Sequence, residues 1–577
     1  MTPPCRLRLN RIARKKLQMG GAVFFLVILL FSAWVVPDLF ASASNNVVLD
    51  NWAYRALDRL QGFGLLQSKL HAVKPYTRME MARLVNEALR TKEEKGLKLP
   101  SLIEHYLERF EKEYREELAV FGRGKGEPPA VLEFKPLEEA KANYVYADGQ
   151  PRDYVNFKRG IGQFPYSPSG IIATQGTPLL YNNEGILYGP GSNVSFQFSS
   201  SARLTDLFSG YVEPIFIIRE NSVPGRNLDV LSDGLVDGRL GSLSQTDVDL
   251  QKGYLKFSPW NVEIEAGRDS LWWGQGYHGS FIMSNNAPPL NMLKISNPTT
   301  TVLPWIFSYL GPFRYNLFCA TVQDYIMPRN PLLSGYIIAF KPLPWLELGF
   351  ANTIFFNGDG LPQTSFPRYL ELITGLGFGQ PNKSDQRAAY QLRLQLPFLW
   401  NAELYLEYAG EDSGGSQYPE EYLGLGDIGY LTGIYFPRIT PDGKTDFRFE
   451  FAKTATRVDS TPGMWYGHTT YKSGYTTARM IMGHWIGPDA MDAFVRVTHH
   501  FRDDLCVGVD YDYLERGLTL SRHEETTNGF GVDATYEINN RWTVTARYAF
   551  ETITNFNMVQ GDDRSNNILM TSVKFNF

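Results

Sequence analysis

From Val131 onward the chain alternates apolar with polar residues in segments of about ten, separated by Gly, Pro, Asn and Asp. In Arg541–Glu551, Trp542, Val544, Ala546, Tyr548 and Phe550 share one face, and Thr543, Thr545, Arg547 and Glu551 share the other. In Phe530–Asn539, Phe530, Val532, Ala534, Tyr536 and Ile538 oppose Asp533, Thr535, Glu537 and Asn539. Val507, Val509, Tyr511 and Tyr513 oppose Asp510 and Asp512, and Phe447, Phe449 and Phe451 oppose Asp446, Arg448 and Glu450. Leu392, Leu394 and Leu396 likewise oppose Gln391, Arg393 and Gln395. A period of two makes these strands with one apolar and one polar face, because successive strand side chains point to opposite sides.

From about Val47 to Leu118 the period is helical instead. Trp52, Ala53, Ala56, Leu57 and Leu60 form one stripe, with Asp50 placed to cap it and Gly62 and Gly64 to end it. A second helix is predicted from Thr77, with Glu80 completing a capping box and Met81, Leu84, Val85 and Leu89 as its apolar face. A third is predicted from Ser101, with a second box to Glu104 and a face of Leu102, Tyr106, Phe110 and Leu118. Gly122 to Pro129 reads as a linker, because Gly and Pro cluster there without periodicity.

A soluble sandwich would also alternate, but three features point to a transmembrane barrel. Strands with charges at alternate positions suit a lipid face and a wet lumen. Trp345, Trp400, Trp542 and Tyr548 lie where strand ends could meet lipid headgroups. The chain ends with Leu569, Thr571, Val573, Phe575 and Phe577 on one face, which resembles the signal read by the outer-membrane barrel assembly machinery. A sheet in lipid can have no open edge, so the barrel must close. Roughly 440 residues with short turns on one side and long loops on the other give about 16 to 20 strands. An even count puts both ends of the barrel beside the helices. Arg393, Glu403, Glu407, Arg448, Glu450, Asp510, Asp533, Glu537, Arg547 and Glu551 then point inward, where opposite signs are expected to cross-link the lumen.

The first residues read as an address. Arg6, Arg8, Arg11, Arg14, Lys15 and Lys16 precede an uncharged, largely apolar stretch from Leu17 to Val36 and then Ala41-Ser42-Ala43. That is the layout of a secretory signal peptide, 1–43, cleaved after Ala43; an uncleaved anchor helix is the alternative. The expected organisation is therefore a leader at 1–43, a periplasmic helical module at 44–125, and an outer-membrane barrel at 130–577.

Composition narrows the function. The 577 residues include 56 basic and 61 acidic side chains, for a net charge of −5, with no basic stripe of the kind a nucleic-acid binder carries. Three cysteines exclude a disulfide scaffold. Removing residues 1–43 takes away six basic residues and Asp38, leaving 50 basic and 60 acidic, or −10. An acidic partner would thus have to be held by local patches and aromatic faces.

Two motifs carry resemblances to known families. Asn51-Trp52-Ala53 through Leu60, Gly64-Leu65-Leu66 and Thr77-Arg78-Met79-Glu80 resemble a single S-layer homology repeat, which implies Arg78 as a cell-wall-binding residue and peptidoglycan as a partner. A plain helical cap on the periplasmic side of the barrel is the alternative. The segment Arg268-Asp269-Ser270-Leu271-Trp272-Trp273-Gly274-Gln275-Gly276-Tyr277-His278-Gly279-Ser280 resembles one found in the Wzi-type capsule assembly proteins. Gly410-Glu411-Asp412-Ser413-Gly414 and Tyr466-Gly467-His468-Thr469-Thr470-Tyr471-Lys472-Ser473-Gly474-Tyr475, with Gly487-Pro488-Asp489-Ala490-Met491, are similar to two further stretches of that family in the same order. The resemblance implies an outer-membrane barrel of 18 strands with periplasmic helices, acting as a lectin that holds exported capsular polysaccharide on the cell surface.

A lectin needs flat aromatic faces for sugar C–H surfaces and planar polar groups for hydroxyls. Trp272, Trp273, Glu411, Asp412, Tyr466, His468, Tyr471 and Tyr475 are the polysaccharide-binding candidates. Trp272 and Trp273 are expected to organise a barrel end, and the 411–422 loop to face outside. No nucleophile motif and no metal-binding spacing is present, so neither catalysis, a cofactor nor a metal is expected. Expected partners are a capsular or other surface polysaccharide, outer-membrane lipid and the barrel assembly machinery, with the chain a monomer. An outer-membrane porin, tethered to the wall through the helical module, is the alternative.

Overall fold

The computed structural model describes residues 43–122, 132–149, 180–222, 244–325, 328–373, 384–411, 426–455, 457–458, 461–462, 465–468, 470–471, 473–519, 521 and 523–577. The expected leader up to 42, the linker from 123, and Asp412 with the rest of its loop lie outside the described residues.

Eighteen long strands close into one antiparallel barrel. They are β1 (Leu132–Ala147), β2 (Gly191–Leu204), β3 (Phe208–Arg219), β4 (Thr246–Phe257), β5 (Glu263–Asp269) and β6 (Leu290–Ser296). Next come β7 (Pro312–Thr321), β8 (Leu332–Leu343), β9 (Leu346–Phe356), β10 (Asp385–Leu396), β11 (Ala402–Glu411) and β12 (Gly426–Phe436). The last are β13 (Thr445–Lys453), β14 (Ala490–Arg502), β15 (Leu505–Arg516), β16 (Glu525–Glu537), β17 (Trp542–Thr554) and β18 (Arg564–Asn576). Neighbours in sequence pair throughout, and β1 closes on β18 from Glu139↔Asn576 to Ala147↔Ile568. The alternation has the expected sense: Val509, Phe530, Val532 and Leu569 stand exposed outside, while Asp510, Glu403, Glu407, Glu450 and Glu551 are buried inside. No helix among the described residues is long and apolar enough to cross a membrane; the strands do the crossing.

The two rims differ. On one, residues 205–207, 344–345 and 503–504 make short turns; on the other, residues 270–289 and 454–489 are long connections. Trp260, Trp345, Trp400 and Trp542 are exposed on the short-turn rim, an interfacial position for indoles. Tyr548, grouped with them from sequence, lies within β17 rather than at its end.

Four helices cover the short-turn rim: α1 (Trp52–Gly62), α2 (Arg78–Lys95), α3 (Ser101–Glu113) and α4 (Arg115–Val120). They share a core of Leu57, Leu60, Met81, Leu84, Val85, Leu102, Phe110 and Leu118. Their caps differ in part from the expected ones. Thr77 accepts from the Glu80 amide at 3.0 Å, but Glu80 turns to Arg83 and the Thr300 amide instead of back to Thr77. Asn51 rather than Asp50 caps α1, accepting from Ala53 N at 2.9 Å, because Asp50 pairs with Lys141 of β1. The box at Ser101 does not form: Pro100 is the N-cap, and the Ser101 hydroxyl donates to Asp503. The third helix breaks at Tyr114 into α3 and α4.

The helices are docked by buried polar contacts. Arg59 lies 2.8 Å from Asp446 and also donates to the Gly443 carbonyl. Arg109 pairs with Glu537 while its guanidinium sits 3.8 Å from the Trp52 ring centre. The Tyr106 hydroxyl meets His500 Nε2 at 2.9 Å. Gly62 permits the approach, since a Cβ there would fall 2.4 Å from Pro437 Cβ. Replacing Arg59 by Ala should cost about 3–5 kcal/mol of docking free energy, because Asp446 is left desolvated without its cation. Limited proteolysis of detergent-solubilised protein should then cut within the helical module faster than in wild type, while the barrel strands stay intact.

Candidate functional site

The barrel is filled. Among the described residues, the stretches that enter the lumen include residues 43–49 with 69–76 from the helical side, 270–289 between β5 and β6, 180–187 before β2, and 465–468 and 473–489 between β13 and β14. Their apolar side chains, among them Trp273, Phe281, Ile282, Trp465, Tyr466, Tyr475, Met482 and Ile486, form one buried cluster with inward residues of the wall. The first two stretches meet as a short antiparallel pair, Val73↔Trp273 and Lys74↔Trp272.

A filled lumen must satisfy the backbone of irregular segments far from bulk water. Here the wall carboxylates do it. Glu407 accepts from the amides of Gln275, Gly276 and Phe281 at 2.6, 2.9 and 3.1 Å. Glu450 accepts from Tyr277 and His278 at 2.7 and 2.9 Å, and Glu347 from His71 and Ala72 at 2.8 and 2.9 Å. Arg393 holds the Gln275 carbonyl at 2.5 Å and its side-chain oxygen at 2.7 Å. Gly274 is required at the head of this cradle, because a Cβ there would lie 2.3 Å from Glu407 Oε1. On the opposite side, Asn46 donates to Glu265 and Asp269 at 2.9 and 2.7 Å.

The expected cross-linking of lumen charges therefore holds only for part of the set. Arg393 pairs with Glu403, Arg496 with Asp510 and Asp533 at 2.7 Å each, and Arg547 with Asp510 at 2.8 Å. Glu407 and Glu450 instead bind plug amides, and Arg448 lies over the Tyr435 and Tyr277 rings at 3.8 and 4.3 Å.

The candidate sugar-contacting residues lie mostly inside this plug. Trp273, Tyr466, Tyr471 and Tyr475 are 0% exposed, and Trp272 and Glu411 are buried. Trp272 and Trp273 do not organise a barrel end; they pair with the inserted helical-module strand in the lumen, and Trp273 packs on Phe318 of β7 at 5.1 Å. Tyr466 and Tyr475 stack at 5.8 Å, and their hydroxyls donate to Phe281 O at 3.0 Å and Ile282 O at 2.8 Å. Burial pushes the Tyr466 phenol well above its ordinary pKa, so it remains a donor. Glu411 accepts from Tyr466 N and Arg387, and Arg387 covers the Tyr475 ring at 4.5 Å. Glu411, Tyr466, Tyr471 and Tyr475 are thus brought together, but with their ring faces covered by protein. His468 is half-buried, its Nδ1 accepting from Thr470 N and Tyr471 N at 3.1 Å. Asp412 lies outside the described residues. Arg78 is remote from all of these, bound to Glu117 at 2.5 Å and the Glu113 carbonyl at 2.8 Å, above the Tyr114 ring.

Glu347, Asn46 and the insertion of residues 69–76 had no local mark in the sequence. An inward Glu looks alike whether its partner is an Arg on the next strand or an amide from a distant loop. Replacing Glu407 by Gln puts an NH2 against amide donors and should cost about 2 kcal/mol, or roughly thirtyfold faster local opening. Hydrogen exchange of the Gln275, Gly276 and Phe281 amides measures it, with those of the barrel strands unchanged.

Comparisons with known proteins fit this architecture. A family model described as capsule assembly protein Wzi matches residues 162–568. A relative from Klebsiella pneumoniae, an uncharacterized 55.8 kDa protein in the cps region, is 28% identical over 211 residues, covering 35% of this chain and 40% of its own length. The solved structure of Escherichia coli Wzi, described as an outer membrane protein involved in group 1 capsule assembly and a carbohydrate-binding β-barrel, has a TM-score of 0.64 at 16% identity, covering 92% of this chain and 100% of that one. Acinetobacter baumannii OccAB2 aligns at a TM-score of 0.43 and 10% identity over 77% of this chain and 98% of its own. The E. coli barrel shares the fold. With a match that spans more than half of its length, this chain belongs to the Wzi capsule assembly protein family.

Proposed function

We propose that this outer-membrane barrel binds exported capsular polysaccharide and holds it at the cell surface through its long-loop face. The filled lumen carries the reading. A barrel whose interior is packed with inserted segments offers a surface rather than a passage, and the porin alternative has no comparable support. Family membership and the location of the Klebsiella relative in a cps region support capsule as the polymer. E. coli Wzi is described as carbohydrate-binding, which supports sugar as the ligand class.

Sugar contact falls to the long-loop rim, where His468 is the half-buried candidate among the described residues; Asp412, the other candidate, lies outside them. The buried tyrosines, Tyr466, Tyr471 and Tyr475, support that rim from below. Binding, not catalysis, is the activity proposed. The helical module then faces the periplasm, after export by a cleaved leader, and caps the barrel. A wall tether through Arg78 has little support, because its guanidinium is held by Glu117 and Glu113.

Deleting the gene in its encapsulated host should move capsule from the cell-bound to the medium fraction, with total polymer unchanged, and the full-length chain should restore it. Purified protein in planar bilayers should be electrically silent. Unchanged cell-bound capsule, or large steady single-channel currents, would refute the proposal.

A further inference from the structure

One group of side chains in the lumen is left over by the plug and by the wall ion pairs. His278 comes from the inserted 270–289 segment, Asp492 from β14 and Asp512 from β15. One ligand-type atom from each lies within 4.8 Å of the others. His278 Nε2 is 3.3 Å from Asp512 Oδ2 and 3.8 Å from Asp492 Oδ2. The first separation is long for a charge-assisted hydrogen bond, which runs to about 2.9 Å. It matches the ~3.3 Å between neighbouring ligand atoms around a tetrahedral Zn²⁺ with bonds of about 2.0 Å.

The carboxylates are the second and independent observation. Asp492 is 1% exposed, and among the described residues no N–H or hydroxyl donates to either of its oxygens, whose near polar neighbour is the Asp512 carboxyl; no such donor reaches Asp512 Oδ1 either. The nearby guanidiniums are engaged elsewhere, Arg496 and Arg547 with Asp510 and Asp533. Two buried carboxylates facing one imidazole, in an aromatic surround, are short of positive charge. The imidazole is held for the task. Its ring stacks on Phe494 at 3.8 Å, with Tyr181 and Trp485 against it at 4.8 and 5.1 Å, and its backbone amide is fixed by Glu450. A small cavity lined by Tyr181, Trp485, Asp510, Asp512 and Arg547 adjoins the group.

We infer that His278, Asp492 and Asp512 form a binding site for one divalent cation of the kind that accepts nitrogen and oxygen ligands together, Zn²⁺ or Mn²⁺ rather than Mg²⁺. One imidazole and two carboxylates supply three ligands and leave positions for water. The ion fastens the Trp-Trp-Gly plug segment to β14 and β15, where Glu407 and Glu450 fasten its backbone. Spacing in sequence conceals such a site, because its three residues come from a loop and two different strands.

The test uses the full-length protein in detergent, stripped with chelator, dialysed and titrated calorimetrically with ZnCl2, MnCl2 and MgCl2. The expected result is about one Zn²⁺ or Mn²⁺ per chain and weak Mg²⁺ binding. Asp492→Asn and Asp512→Asn, checked for native heat-modifiable gel mobility, should each weaken binding by ~100-fold. Metal should also slow hydrogen exchange of residues 276–282 in wild type and not in Asp492→Asn. The inference is overturned if wild type binds none of the three ions stoichiometrically, or if binding is unchanged in both variants.

Discussion

A sheet immersed in lipid cannot leave a row of amides and carbonyls unpaired, and this requirement governs the molecule. Closure of β1 on β18 meets it at the wall. Closing 18 strands, however, encloses a lumen too wide for wall side chains alone to fill. The inserted segments fill it, and they bring their own backbone groups away from bulk water. Inward carboxylates of Glu347, Glu407 and Glu450 answer those groups, so one demand for hydrogen-bond satisfaction is met twice, first around the barrel and then across it.

Among the described residues, the interior is therefore packed as a protein core with a polar shell. Trp273, Phe281, Trp465 and Tyr475 pack as they would in a soluble domain, while the ring of charges around them docks the plug. The helical module takes part directly: residues 69–76 pair with Trp272 and Trp273, and Arg59 and Arg109 reach wall carboxylates. Helices, plug and wall are thereby coupled through buried polar contacts.

Much of the fold was legible because it depends on local periodicity. The alternation in β13, β15, β16 and β17 marks the correct faces, and the stripes of α1 to α3 mark a helical module. The caps expected at Asp50 and Ser101 do not form because each side chain has a competing partner, Lys141 and Asp503, that lies far away in sequence. The candidate site was legible only as composition. Tyr466 and Tyr475 have the right chemistry for sugar, yet their hydroxyls and faces are spent on Phe281, Ile282 and Arg387.

By itself, then, the sequence determined the features that neighbours along the chain control: strand and helix periods, the apolar outer face and the family motifs. Only the tertiary structure decided the features that require groups far apart in sequence to converge in space. It turned the Trp-Trp-Gly segment inward, assigned Glu407 and Glu450 to amides rather than to arginines, and set His278 against Asp492 and Asp512. The physical reason is that periodicity sets which face a side chain occupies, while its partner across the lumen is set by barrel closure and by the path of the inserted loops.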